Sequence, residues 1–252
     1  MSAMHAALEG LGDIFTVAPK TVQSATGHGI TFTEPLMVET VEFRPGVTGI
    51  AVDGRPADCM KLAIQSLWPE AFGEGTKPDL TISGINSGAN VGINILYSGT
   101  VAAAVESAFL GVPSIATSLH MDFSAEGRNC MGRAAEIARV VIDRMLAARS
   151  MDRHEVVNIN VPRTPDESAP MPPIRVVEMD GAPLEESFEQ RVSPGGQMYY
   201  WIDGDGLPFR TAHGEGDIGA LRDRCVTVTP LSYLMTDMAR LQPWRAALDP
   251  ST

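Results

Sequence analysis

The chain is poor in cysteine, in aromatic residues and in cations. Only three cysteines occur among 252 residues, and Cys59, Cys130 and Cys225 lie far apart without a Cys-x-x-Cys pair. That fits buried thiols kept in a reducing compartment, as in the cytoplasm, better than a disulfide framework or a zinc site. Lys and Arg number 19 against 31 Asp and Glu, a net charge of −12. A long nucleic acid is therefore an improbable partner, since such binding rests on cations neutralising phosphates. A single nucleotide in a local pocket is not excluded. No apolar run approaches the roughly 18 residues of a membrane span, and the first residues form neither a basic region nor a signal-type apolar run. What is present is ordinary globular material, 44% hydrophobic and 20% charged, long enough for one large α/β domain with or without an appendage.

Periodicity organises that material. Met4, Ala7, Leu8 and Leu11 share a helical face. Asp13 to Ala18 then reads as a strand stopped by Pro19, followed by a polar loop over 20–31. Residues 36–53 read as short strands about an Arg44-Pro45-Gly46 turn. Helical spacing returns at Met60, Ala63, Ile64 and Leu67, with Pro56 in the first turn. A strand at Leu80–Ser83 precedes a helix over about 100–110, for which Val101, Val105, Ala108 and Phe109 form the expected buried stripe. Strands at 113–119 and 156–161 flank a long helix over about 129–147. Alternating strands and helices predict βαβ units, a Rossmann-like three-layer sandwich with a mainly parallel sheet. Beyond Pro162 the pattern changes. Strand-like runs at 174–179, 197–202 and 225–229 are separated by turn signals at 194–196 and 203–206. The expected division is an α/β body over 1–162 and a β-hairpin-rich C-terminal extension over 163–252.

Residues 83–100 carry the chemistry. The stretch holds Gly84, Gly88, Gly92 and Gly99 with Asn86, Asn90 and Asn94, no charge, and ends in Ser98-Gly99-Thr100 directly before a helix. Glycines admit close backbone approach to a ligand. A helix N-terminus offers free N–H groups and partial positive charge to a phosphate, and amide and hydroxyl oxygens suit a hard cation. Strand, Gly/Asn loop and helix start together point to an oxyanion site with room for a metal. Taken singly, Ser98 and Thr100 are also ordinary helix caps, Asn86 and Asn90 ordinary loop formers, and Asp58 a support for a helix start. His28 is a weaker candidate for acid–base work.

Several segments resemble the SurE family of stationary-phase survival proteins, which are metal-dependent nucleotidases. They are Val17-Ala18-Pro19 with Ser24-Ala25; Gly54 to Cys59; Pro78-Asp79-Leu80-Thr81-Ile82-Ser83-Gly84-Ile85-Asn86-Ser87-Gly88-Ala89-Asn90; Tyr97-Ser98-Gly99-Thr100-Val101-Ala102-Ala103-Ala104; and Gly111 to Ala116. The resemblance implies a phosphomonoester hydrolase acting on nucleoside 5′- and 3′-monophosphates with Mg²⁺ or Mn²⁺. It implies Ser24 and Asn86 as metal ligands and Ser98, Gly99 and Thr100 at the phosphate, with Asn90 a further substrate-side candidate. It also implies a homodimer or homotetramer built through the C-terminal hairpins. The family's acidic pair, in an Asn-Asp-Asp-Gly element at the end of its first strand, has no counterpart in this sequence, so the catalytic acids are not assigned. Two readings follow: a native segment ahead of Met1 supplies the pair, or the chain is a non-catalytic nucleotide- or phosphate-binding relative. With the first strand absent, reduced stability is expected.

Overall fold

The structure is a computed structural model and describes residues 1–121, 129–181, 187–203 and 215–249. The first helix, α1 (Ser2–Leu8), buries Met4 and Leu8 and leads through Gly10, at φ +79°, toward β1 (Val17–Pro19). β1 pairs in parallel with β3 (Val47–Val52), and β3 pairs antiparallel with β2 (Val38–Arg44), giving a three-stranded sheet. The strand expected over 13–18 is thus shorter and later. Only 17–19 find a ladder partner, and Pro19 is tolerated because β1 is an edge strand.

The second sheet has five strands in the order β4 (Thr81–Ser87), β5 (Ser114–Leu119), β6 (Val156–Val161), β10 (Val226–Leu231), β7 (Ile174–Val176). β4, β5 and β6 run parallel, while β10 is antiparallel to β6 and parallel to β7. Every residue of β5 and β6 is buried, their polar members Ser114, Thr117, Ser118, Asn158 and Asn160 included.

Helices cover both faces, so the expected three-layer, mainly parallel architecture is present. On one face α5 (Met131–Ala148) packs with α1, and Ile137, Ala138, Val141 and Ile142 meet Ile115, Ile159 and Val161 in the main core. On the other, α2 (Pro56–Leu62) packs against α4 (Gly99–Phe109), and Val101, Ala104 and Ala108 form a second core with Ala116 and Val156. Phe109, expected inside, is 46% exposed. It lies past the buried stripe and stacks on His28 instead. α2 passes through a π-helical turn (Ala63–Leu67) into α3 (Trp68–Phe72).

Two strands from beyond Pro162, β7 and β10, belong to the five-stranded sheet. α6 (Asp217–Arg222) packs beside β10. β8 (Ser187–Val192) and β9 (Met198–Asp203) form a separate antiparallel hairpin, and α7 (Met238–Leu248) has no buried residue. β8 had no sequence signal. Of the turn expected over 203–206, positions 204–206 lie outside the described residues.

Among the described residues the two sheets do not pair: β1 is paired only with β3, and β4 only with β5. Between them lies a cleft of about 1340 Å³, lined by 13–19 on one wall and 78–87 on the other. α1 residues Met1, Met4, His5 and Leu8 and α2 residues Cys59 and Met60 also line it.

Candidate phosphate site at the end of the cleft

The carboxyl ends of β1 and β4 open onto one end of the cleft, where open α/β sheets bind ligands. After β1 comes the loop bearing Ser24. Ala25 takes φ +53°, a left-handed conformation that a non-glycine residue adopts at a cost of roughly 1–2 kcal/mol, so this loop must be held from outside. Two buried acids hold it. Asp58 accepts Thr31 N–H at 2.8 Å and Thr31 Oγ1 at 2.7 Å, and with the Arg55 N–H at 2.9 Å it also caps α2. Glu106, 4% exposed within α4, lies 2.8 Å from His28 Nε2 and accepts from Lys61 Nζ at 2.9 Å. His28 is therefore a pin between loop and helix, with its ring occupied by Glu106 and Phe109.

In the middle of β4, Gly84 has φ +122°, and a Cβ there would sit 2.3 Å from the Thr117 carbonyl oxygen. Only glycine fits. The β4–β5 register shifts between Ser83 and Asn86, and such a bulge re-aims the side chains beyond it. Asn86 lines the cleft, and its Nδ2 donates to the Gly88 carbonyl at 2.9 Å. The Oδ1 is thereby fixed as the atom left for a ligand.

Of the two readings of Asn90, loop former and substrate-side residue, its hydrogen bonds support the first. It is 7% exposed. Its N–H donates to Asn160 Oδ1 at 2.7 Å and its Nδ2 to Ser118 Oγ at 2.6 Å. Its carbonyl accepts from Asn158 and Asn160 Nδ2 at 2.7 and 3.0 Å. These bonds tie the Gly/Asn loop to β5 and β6. The next turn is held by Asp217, fully buried, which accepts the Gly92 N–H at 2.9 Å as well as the N–H groups of Asp180 and Ile218. Burial pushes the Asp217 carboxyl upward, and the three N–H bonds offset this in part.

Ser98, Gly99 and Thr100 begin α4. Ser98 Oγ caps the helix by accepting the Val101 N–H at 3.1 Å. A Cβ on Gly99 would meet Pro56 Cγ at 2.8 Å, so glycine lets the starts of α2 and α4 approach. The turn lines the same cleft as Ser24 and Asn86. All the candidate residues are brought together, Asn90 as scaffold.

The donor set has one shortage. Ser24 and Asn86 supply neutral oxygens, and among the described residues no group of three or more His, Cys, Asp or Glu converges. A hard divalent cation ordinarily takes one or two carboxylates, so the residues present do not fit such an ion by themselves. The buried acids nearby are committed to backbone and lysine partners. Glu106 and Asp217 were missed in the sequence; the signal for Glu106 was a lone acid on an alanine-rich helix face.

The chain is similar to known proteins along most of its length. The family model described as Survival protein SurE matches residues 1–181. A Rhodopirellula baltica protein named 5′-nucleotidase SurE is 42% identical over 238 residues, covering 94% of this chain and 88% of that protein. A Heliobacterium modesticaldum protein of the same name is 40% identical over 231 residues, covering 91% and 80%. The crystal structure of a SurE protein from Aquifex aeolicus superposes with a TM-score of 0.79 at 31% identity, covering 98% of this chain and 94% of that one.

Proposed function

The chain belongs to the SurE family, and from that premise we propose that it is a hydrolase releasing phosphate from nucleoside 5′- and 3′-monophosphates. The observation that carries the reading is the convergence of Ser24, Asn86 and the Ser98-Gly99-Thr100 turn on one cleft end. α4 spans 11 residues and begins at that turn, so its first N–H groups and its dipole favour a phosphate there. Donors held in place by Gly99 packing and by the Asn90 network need no rearrangement as charge grows on the phosphoryl oxygens. The reading calls for a divalent cation, Mg²⁺ or Mn²⁺, with Ser24 and Asn86 among its ligands and with acids the described residues do not supply.

Phosphate release from nucleoside monophosphates with Mg²⁺ or Mn²⁺ tests the proposal, run on the chain preceded by an acidic segment. Asn86→Ala should lower kcat/KM by at least about 10- to 100-fold. Equal release by the variant, or nucleotide binding without turnover, counts against the reading.

The assembly belongs to the same proposal. Phe188, Tyr200, Trp201 and Ile202 on the β8–β9 hairpin are each about 60% exposed, and an isolated two-stranded hairpin is marginal in water. A homodimer or homotetramer would cover it. No described helix is long and apolar enough to cross a membrane. We place the protein in the cytoplasm, where thiols such as its three cysteines persist in reduced form.

A further inference from the structure

The turn that leads into Ser98-Gly99-Thr100 carries two side chains to which the rest of the fold gives no task. It is a 3₁₀ turn, Gly92–Tyr97. Of its residues only Asn94 and Tyr97 line the cleft. Their spacing explains this, because residues three apart eclipse one another in a 3₁₀ turn and share a face. The backbone of the turn is held along its length. The Gly92 N–H donates to Asp217 at 2.9 Å, Ile95 packs against the second core, and the Tyr97 carbonyl accepts the Gly27 N–H at 3.0 Å. Gly27 takes φ +57°, and a Cβ there would lie 3.3 Å from the Leu96 carbonyl oxygen, so glycine brings the Ser24 loop against the turn. On this fixed backbone the Tyr97 ring is 55% exposed. Among the described residues, neither the Tyr97 side chain nor the Asn94 amide makes a hydrogen bond or a ring contact. Phe109 supplies the contrast. It is 46% exposed, but its ring is taken by His28 and Tyr233. An exposed tyrosine by itself is ordinary. A tyrosine fixed at a cleft, beside an unengaged amide and directly ahead of a phosphate-type turn, is not. Val22, on the Ser24 loop and 90% exposed, adds apolar surface to the same lining. Positions 21–25 and 94–100 hold no charged side chain.

We infer that Tyr97 and Asn94 form the nucleoside end of the site, with the Tyr97 ring stacked on the base and the Asn94 amide hydrogen-bonded to the base edge. This assignment rests on the reading of Ser98-Gly99-Thr100 as the phosphate turn. A nucleotide whose phosphate lies there carries its base one sugar away, and Tyr97 is the residue immediately before that turn. An aromatic ring accepts any base, because every base has a π-face. Tyrosine offers that area with only two side-chain torsions to fix. A carboxamide presents both a donor and an acceptor, so it distinguishes bases by the groups on their edges. An uncharged lining suits a neutral base. Neither side chain acts on the phosphoryl group. Both bind ground state and transition state alike, and so they set KM rather than kcat. The substrate class that this end selects is nucleotides over phosphate esters that lack a base.

Titrations of the chain with AMP, adenosine and ribose 5-phosphate in Mg²⁺, followed by NMR, separate the two ends of the site. Adenosine lacks the phosphate, and ribose 5-phosphate lacks the base. Tyr97→Ala should weaken AMP and adenosine by at least about fivefold and change ribose 5-phosphate by less than about twofold. Tyr97→Phe keeps the ring and should hold AMP within about twofold of the parent. Asn94→Ala should bring the affinities for AMP, GMP, CMP and UMP closer together, narrowing their spread by at least about threefold. No binding of AMP, AMP affinity untouched by Tyr97→Ala, or an equal loss for ribose 5-phosphate in that variant overturns the base platform. An unchanged spread in Asn94→Ala overturns the amide's part. The hydrolase reading fails separately. A chain that binds AMP through Tyr97 but releases no phosphate loses that reading and keeps the nucleoside end. A chain that hydrolyses AMP no better than ribose 5-phosphate, with or without Tyr97→Ala, keeps the hydrolase and loses the nucleoside end.

Discussion

The strands β5 and β4 are close in composition and opposite in circumstance. Ser-Ile-Ala-Thr-Ser-Leu is buried at every position, whereas Thr-Ile-Ser-Gly-Ile-Asn-Ser is buried only at Thr81 and Ile85. β1 has no buried residue at all, while β6 has no other kind. The apolar content of the strands does not account for this. β5 and β6 each have neighbours on both edges; β1 and β4 have one. Burial is conferred by neighbours as much as by side chains, and the half-buried strands frame the cleft lined by the candidate residues.

The largest effect that can break this comparison comes from equal truncations in the two settings. Ile159, on β6, is fully buried. Ile159→Ala should cost about 2–5 kcal/mol, by lost transfer energy and by the cavity left behind. Ile82, on β4, lines the cleft and is only partly buried where it packs on the edge of the main core. Ile82→Ala should cost less, about 1–2 kcal/mol, since a half-buried side chain loses less transfer energy and leaves no closed cavity. Urea melts of the two variants decide the matter. Equal losses would mean that β4 is as enclosed as β6 and that the cleft is not open.

A smaller effect sharpens the role of the bulge. Gly84→Ala places a methyl group against the Thr117 carbonyl at a φ that alanine avoids. We expect a loss of about 1–3 kcal/mol, together with displacement of Asn86. Gly132→Ala, in α5 with nothing within 4 Å of the added carbon, should instead be neutral or gain up to about 1 kcal/mol. If both substitutions behave alike in thermal melts, the β4 bulge is not set by glycine.

Much of this was legible from the residues. The runs at 113–119 and 156–161 were legible as strands from their β-branched residues; that their polar members Ser114, Thr117, Ser118, Asn158 and Asn160 are buried as well was not. The Gly/Asn loop and the Ser98-Gly99-Thr100 turn marked the candidate site, because close approach and helix starts leave residue-level signs. Other features were not legible. Nothing local distinguishes Asn90 as a scaffold from Asn90 as a substrate ligand; the difference lies in Ser118, Asn158 and Asn160, which come from distant strands. β8, with Glu189 and Arg191 in a wholly exposed hairpin, has no core face to impose alternation. Phe109 follows the helical period yet lies outside, because the partner it meets there, His28, comes from a loop 81 positions earlier.

The smallest effect concerns how the cleft's loop wall is fixed without strand pairing. Asp217 holds Gly92 from α6, and burial raises its carboxyl above its unfolded value. The folded state therefore binds a proton there more tightly than the unfolded chain does. The stabilisation linked to that proton is full below the ordinary carboxylate value, about 3.9, and is lost as pH rises through the folded one. Its slope cannot exceed about 1.4 kcal/mol per pH unit for one group. Asp217→Asn removes the titration but leaves one N–H facing an amide, so its stability should be lower overall and its slope flatter across that window. Urea melts from pH 4 to 7 read both. A variant that keeps the wild-type slope would show that Asp217 is held by its three N–H bonds without cost from burial, and the loop wall would then be as well satisfied as the interior sheet.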